Sequence, residues 1–329
     1  YILIPTSVYT LWTRRAISRG WNVSKVSLRL AIEIGSITTI LGFLIFLAMI
    51  YNSHVGAIIC LAFTVAIFEE CILRSLLQIS AGYKPEYIGY SHAILSIVKV
   101  SVAYFFIVEL EMEILGVAFA LFVSKLVVLL FLFLLNKKLI YKGIYDHSIK
   151  SEWINLSWYP LVMTAVYMLG ALDVLVVKIL TNSDVAISYY GISFFLVSFI
   201  AAPVEGVVAL ESKVLARRDL RYIDEAFWLL VLFVTPLIAI SLALTEPIIA
   251  IMGTKYIPAA LAVKIFILGA YFRVCYKLFR SSVLAWEYRD YDVYSKLQLT
   301  RTALFGILII DFSRMLLFYV GLISVSYTH

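Results

Sequence analysis

Charge is what this 329-residue sequence has least of: Asp, Glu, Lys and Arg make up 15% of it, against about 25% in a soluble domain. The cations stand singly or in short loops, with no basic face to track a phosphate backbone, so no nucleic-acid partner is expected. Cysteine is scarce too. Cys60, Cys71 and Cys275 lie inside apolar tracts at no ligand-like spacing, which argues against a disulfide framework or a thiolate metal centre. His54, His92, His147 and His329 form no H-E-x-x-H or triad-like grouping, so no catalytic or metal-binding residue is predicted and the chain reads as a non-enzyme. The polar–apolar alternation of membrane barrel strands is also missing.

What fills the space is apolar. Hydrophobic residues make 63% of the chain and mean hydropathy is +0.98. The tracts are long enough for helices to cross a bilayer, and only helices satisfy their own backbone there, so the fold class is an all-α polytopic membrane protein. Spans are predicted at 29–50, 55–79, 91–109, 113–135, 155–180, 185–210, 226–245 and from Pro258 to about Ala285. Gly82 and Pro85 break the chain in a loop at 80–90, and EPIIAIMGTKY (246–256) reads as an interfacial piece. In the last tract, 297–323, Asp311 and Arg314 predict a tight turn between two spans, the alternative being one tilted helix with an internal i,i+3 ion pair.

Charge placement sets orientation. The alternate connections 13–28, 80–90, 137–154, 212–225 and 286–296 hold 15 Lys and Arg, whereas the intervening ones hold Lys255 alone. By the positive-inside rule the first set is cytoplasmic, in a multi-pass protein of the cell membrane. The outer connections are short, which argues against a membrane-embedded glycan enzyme, and hairpins with little between them suggest a transporter. Neither end reads as natural. Tyr1 follows no signal-peptide pattern, and YILIPTSVYTLW reads as the last part of a spanning helix. Val325 to His329 interrupt an apolar run and match one reading frame of a common sequencing adapter, so an artefactual tail on an open-ended fragment is expected.

Three passages carry a family likeness: ALDVLVVKILTNSDVAISYYGISFFL (171–196), with Asp173 and Tyr189-Tyr190-Gly191; PVEGVVALESKVLARRDL (203–220); and EPIIAIMGTKYIPAALAVKIFILGAYFRV (246–274). In order and spacing the chain resembles the lipid-linked oligosaccharide flippases, the polysaccharide branch of the multidrug/oligosaccharidyl-lipid/polysaccharide exporter superfamily. The resemblance implies a two-lobed helical bundle of 12 or more spans, about ten of them present. Residues 1–135 would be the N-lobe, helices two to six. Residues 136–154 would be a cytoplasmic basic connector, and 155–324 the C-lobe, helices seven to eleven and the start of twelve. It implies a lipid-linked oligosaccharide substrate, membrane lipids around it, and polysaccharide polymerase and glycosyltransferases as partners. No bound cofactor is implied, with H+ or Na+ available as a coupling ion.

A charge at mid-bilayer costs on the order of 2.5–3.5 kcal/mol, so each one needs a cavity or a partner. Arg29–Glu33 and Glu70–Arg74 are i,i+4 pairs, and Lys178 and Lys264 lie close enough to span ends to snorkel. Lys99 and Lys125 are too deep for that and are candidate substrate cations, or else ion-paired with an acid such as Asp173 or Glu205. Arg273, Lys277 and Arg280 recur at i, i+4 and i+7, a stripe suited to a diphosphate. Asp173 and Glu205 are candidate coupling acids or fixed counter-ions, and Glu69, with no i,i+4 partner, is a further candidate of the same kind facing the cavity. These residues predict alternating-access export of an isoprenoid-diphosphate-linked oligosaccharide. The alternative is a cation-coupled drug or small-molecule antiporter of the same superfamily, which would depend more on acids than on cations.

Overall fold

The computed structural model describes residues 3–52, 57–169, 173–201, 214, 219, 221–287 and 301–327. They fall into two compact units divided between Thr164 and Ala165. The described residues are almost wholly helical, and five helices among them are long and apolar enough to cross a membrane: Ser24–Ala48, Glu86–Glu109, Leu115–Lys142, Arg221–Ala243 and Thr254–Trp286.

The first unit contains α1 (Leu3–Ser18), α2 (Ser24–Asn52), α3 (Ala57–Tyr83), α4 (Glu86–Ala103), α5 (Glu113–Lys142) and α6 (His147–Asn155). Connections are tighter than composition suggests. The predicted 13–28 loop shrinks to a turn, because the helix of α1 continues to Ser18 and Gly20 supplies the positive φ of 92° that reverses the chain. The 80–90 loop shrinks to Lys84-Pro85. Gly82 does not break the helix; Pro85, which constrains the residue before it, does. α4 ends in a π-helical turn, Tyr104–Glu109, against which the start of α5 passes so closely that a Cβ on Gly116 would meet the Phe106 carbonyl carbon at 3.1 Å.

Proteins dissolved in water rely on apolar burial, but helices in lipid gain little from it and are held by close packing and hydrogen bonds. This unit shows both. Gly35 brings α2 onto Cys71 of α3, where an added Cβ would stand 3.1 Å from the Cys71 Cβ. Tyr9 donates to the Cys71 carbonyl at 2.7 Å, and Thr13, Ser27 and Ser75 form a hydroxyl chain with spacings of 2.8 and 2.7 Å across α1, α2 and α3. Asn136 of α5 donates to Ser80 Oγ at 2.7 Å. Meanwhile Ile37, Ile40, Leu41, Leu44 and Ile45 of α2 stay exposed, as a lipid-facing surface requires.

The expected connector is largely helical. Asn136 to Lys142 are the end of α5, and α6 follows, with Asp146 as its N-cap accepting from Ser148 N at 2.8 Å. Lys150 of α6 reaches Glu33 of α2 at 2.6 Å, tying the two helices together.

α7 (Trp158–Leu169) begins in the first unit and leads to the second, which holds α8 (Asp173–Thr181), α9 (Asp184–Ala201), α10 (Arg221–Ala243), α11 (Thr245–Met252), α12 (Ala260–Trp286) and α13 (Ala303–Tyr327). The predicted 155–180 span is thus described as two helices either side of residues 170–172. α12 is the hub of this unit: Val263, Ile267, Ala270, Val274 and Leu278, one face at helical spacing, are buried against α9 and α10. Gly253, at a φ of 139°, turns the chain from α11 into a short 3-10 helix, Thr254–Ala259.

The expected turn at Asp311 is absent. α13 runs unbroken through Asp311 and Arg314, with no Gly or Pro between positions 307 and 320 to stop it. The polar pair had suggested a loop, but Asp311 is 1% exposed and satisfied by α12, so it needs no exit to water.

Candidate functional site

Glu69 and Glu70 are neighbours on α3, so their side chains leave the helix about 100° apart and meet different surroundings. Glu70 becomes the shared partner of two cations. Arg74 Nε lies 2.9 Å from its Oε1, and Lys125 Nζ of α5 lies 2.8 Å from its Oε2. The local i,i+4 pair was legible in sequence; the second cation was not. Lys125 is therefore ion-paired, but with Glu70 instead of the anticipated Asp173 or Glu205.

Glu69 is left over. It is 5% exposed, and neither carboxylate oxygen has a hydrogen-bond partner among the described residues. A buried charge without a partner is costly. Glu69 can be neutralised by a proton, by a bound cation, or by Lys125 changing partners, and each route couples its charge to the network beside it. Lys99 of α4 is exposed and makes no hydrogen bond or ion pair among the described residues.

In the second unit, Asp173 opens α8, where its Oδ1 accepts from Val174 N at 2.8 Å. Its other oxygen accepts a hydrogen bond from Tyr190 of α9. The Tyr189-Tyr190-Gly191 step therefore supplies Asp173 with a donor, a link that neither segment reveals alone. Arg273 is exposed on α12 and is unpaired among the described residues. Lys277 is half-buried, and Arg280 Nε lies 3.3 Å from Asp311 Oδ2. The predicted stripe thus contains one exposed cation and one pinned to α13. Glu205 lies outside the described residues. Lys178 and Lys264 find acids, Asp184 and Glu246, so snorkelling is not needed to account for either.

No group of three or more His, Cys, Asp or Glu among the described residues is arranged to hold a metal ion. No family model matches the sequence, and no curated protein does. Solved structures do match. The MATE transporter VcmN of Vibrio cholerae, in its bent form, superposes with a TM-score of 0.66 over 86% of this chain and 72% of its own, at 11% identity. An outward-facing multidrug resistance MATE family transporter of the MOP superfamily gives 0.59 over 98% of this chain and 86% of its own, at 15% identity. A MATE in the straight conformation gives 0.61 over 99% and 85%, at 14% identity.

The fold is that of the MATE transporters. At these identities the likeness establishes architecture alone. That fold agrees with the helical architecture that the motif order implies, and it selects no functional branch. The structures it resembles belong to transporters, not enzymes.

Proposed function

We propose that the protein is a secondary-active membrane transporter that exports an amphipathic solute by alternating access in exchange for a cation. The observation that carries this reading is Glu69: a buried acid with no hydrogen-bond partner among the described residues, beside a Glu70–Lys125–Arg74 network of one acid and two cations whose charge depends on the state of Glu69. The balance of cations over acids that favoured an anionic substrate also changes once Lys125 and Arg280 have counter-ions. The test uses ethidium efflux from membrane vesicles energised by a pH gradient. Glu69→Gln is expected to abolish efflux with the protein still inserted, and efflux at the wild-type rate would overturn the reading.

A second reading, flipping of a lipid-linked oligosaccharide between leaflets, is favoured by Arg273 and Lys99, which are exposed and unpaired among the described residues. Its test is complementation of surface-polysaccharide export, which Arg273→Ala should abolish and Glu69→Gln should impair only if flipping is cation-coupled. H+ and Na+ are distinguished by which imposed gradient, of pH or of Na+, drives export of the solute.

A further inference from the structure

Four helices of the second unit wall a groove of about 520 Å3, within the range of about 300–1,000 Å3 found for small-molecule sites. Phe195 and Leu196 of α9, Leu237 of α10, Ile248 of α11, and Val263 and Ile267 of α12 line it. Among the described residues its lining is apolar except for Ser241 and Thr245. Thr245 spends its hydrogen inside the chain, donating from Oγ1 to the Ser241 carbonyl at 2.7 Å. A sugar, a peptide backbone or a charged solute would leave its polar groups unmatched in such a groove. Hydrocarbon would not.

The groove also lies at a definite depth. α10 and α12 are each long enough to cross a bilayer, and only short helices join them, so the end of α10 and the start of α12 lie at the same membrane face. Along the helix axes, Leu237 is about 9 Å from the end of α10 and Ile267 about 10 Å from the start of α12. Both fall within one leaflet, whose hydrocarbon is about 15 Å deep. At the same face stand an exposed ion pair, Lys264 Nζ to Glu246 Oε1 at 3.3 Å, and Lys255, whose Nζ lies 4.9 Å from the centre of the Tyr256 ring. Aromatic and charged side chains grouped in this way mark the headgroup level. Glu246 and Lys264 are next in sequence to the lining residues Thr245 and Val263, so charges of both signs border the groove. Ile251, a further lining residue, is 87% exposed, which leaves the groove open to the surrounding lipid. The hydrocarbon found just beneath a headgroup is an acyl chain, and a headgroup carrying both signs would complement Lys264 and Glu246.

We propose that this groove is a structural lipid site that holds one acyl chain of a zwitterionic membrane phospholipid. It lies in the other unit from Glu69 and stands whether or not Glu69 couples transport. The full chain is reconstituted in vesicles containing a trace of phosphatidylethanolamine with a photoreactive diazirine on one acyl chain. After illumination the adducts are mapped by mass spectrometry. Leu237 is expected to be labelled more than Ile240 of the same helix, although Ile240 is the more exposed and meets bulk lipid. Ser241→Phe, which fills the groove, is expected to cut labelling of Leu237 about tenfold and leave that of Ile240 unchanged. Should Ser241→Phe fail to fold, Met252→Trp at the rim carries the same expectation. Labelling of Leu237 no higher than that of Ile240, or undiminished in the folded variant, would overturn the proposal. Protection of Leu237 by excess ethidium would overturn it in favour of the transported solute, and protection that accompanies a cross-linked dimer would do so in favour of a second copy.

Discussion

Lys125 Nζ of α5 stands 2.8 Å from Glu70 Oε2 of α3, on an acid that already holds Arg74 one turn along its own helix. The arrangement recurs at Glu33, which takes Arg29 at 3.1 Å along α2 and Lys150 at 2.6 Å from α6. In each case a local ion pair gains a second cation from a distant helix, and the acid becomes a tie between helices.

Removing Lys125 should therefore loosen α5 from α3. Lys125→Met is expected to destabilise the protein by about 1–3 kcal/mol, because both partners are largely buried and Glu70 loses its long-range counter-ion. A double-mutant cycle with Glu70→Gln, read by thermal unfolding in detergent, should give a combined loss smaller than the sum of the single losses.

Gly82 lies where α3 touches α1, and a Cβ there would meet Ile17 Cβ at 2.8 Å and the Arg14 carbonyl oxygen at 2.9 Å. Backbone cannot move aside as a side-chain tip can. Gly82→Ala is expected to cost about 1–3 kcal/mol and lower the melting temperature, despite the better helix propensity of Ala. An unchanged melting temperature would show that α1 does not pack this closely.

The Tyr190 hydroxyl donates to Asp173, while the Tyr190 ring packs edge-on to Phe266 with centroids 5.3 Å apart. Tyr190→Phe keeps the ring contact and deletes the hydrogen bond alone. A loss of about 1–2 kcal/mol is expected, with faster hydrogen exchange at the N-terminus of α8.

Asp146 caps α6, and the hydrogen bonds from the Ser148 hydroxyl and amide hold its carboxyl below the usual carboxylate range. A carboxyl depressed in the folded state stabilises it above the unfolded pKa, and that contribution disappears as pH falls through the folded value. The first turn of α6 should fray below about pH 4, seen as lost protection of the Ser148 amide after correction for intrinsic exchange. Asp146→Asn, which caps without titrating, should remove the dependence.

Part of the candidate site was legible without coordinates. Glu69 stood out because no residue at i±4 could pair with it, and it is indeed unpartnered among the described residues. Arg280 was legible as a cation on a helical stripe. Its partner was misread, because Asp311 and Arg314 look like a turn in a sequence where any buried acid in an apolar run has to be explained locally. The explanation came from Tyr276 and Arg280, about 30 positions earlier.

The sequence by itself determined that the chain is a helical membrane protein, where its main apolar tracts lie, and which charges pair within one helix. Those properties depend on composition and on a 3.6-residue period, both of which can be read along a line. Only the tertiary structure decided that Glu70 and Glu33 each carry a second cation, that Tyr190 serves Asp173, and that Asp311 is buried between α12 and α13. In lipid these choices follow from which helix faces approach one another, and small residues such as Gly35 and Gly82 permit that approach without naming the partner.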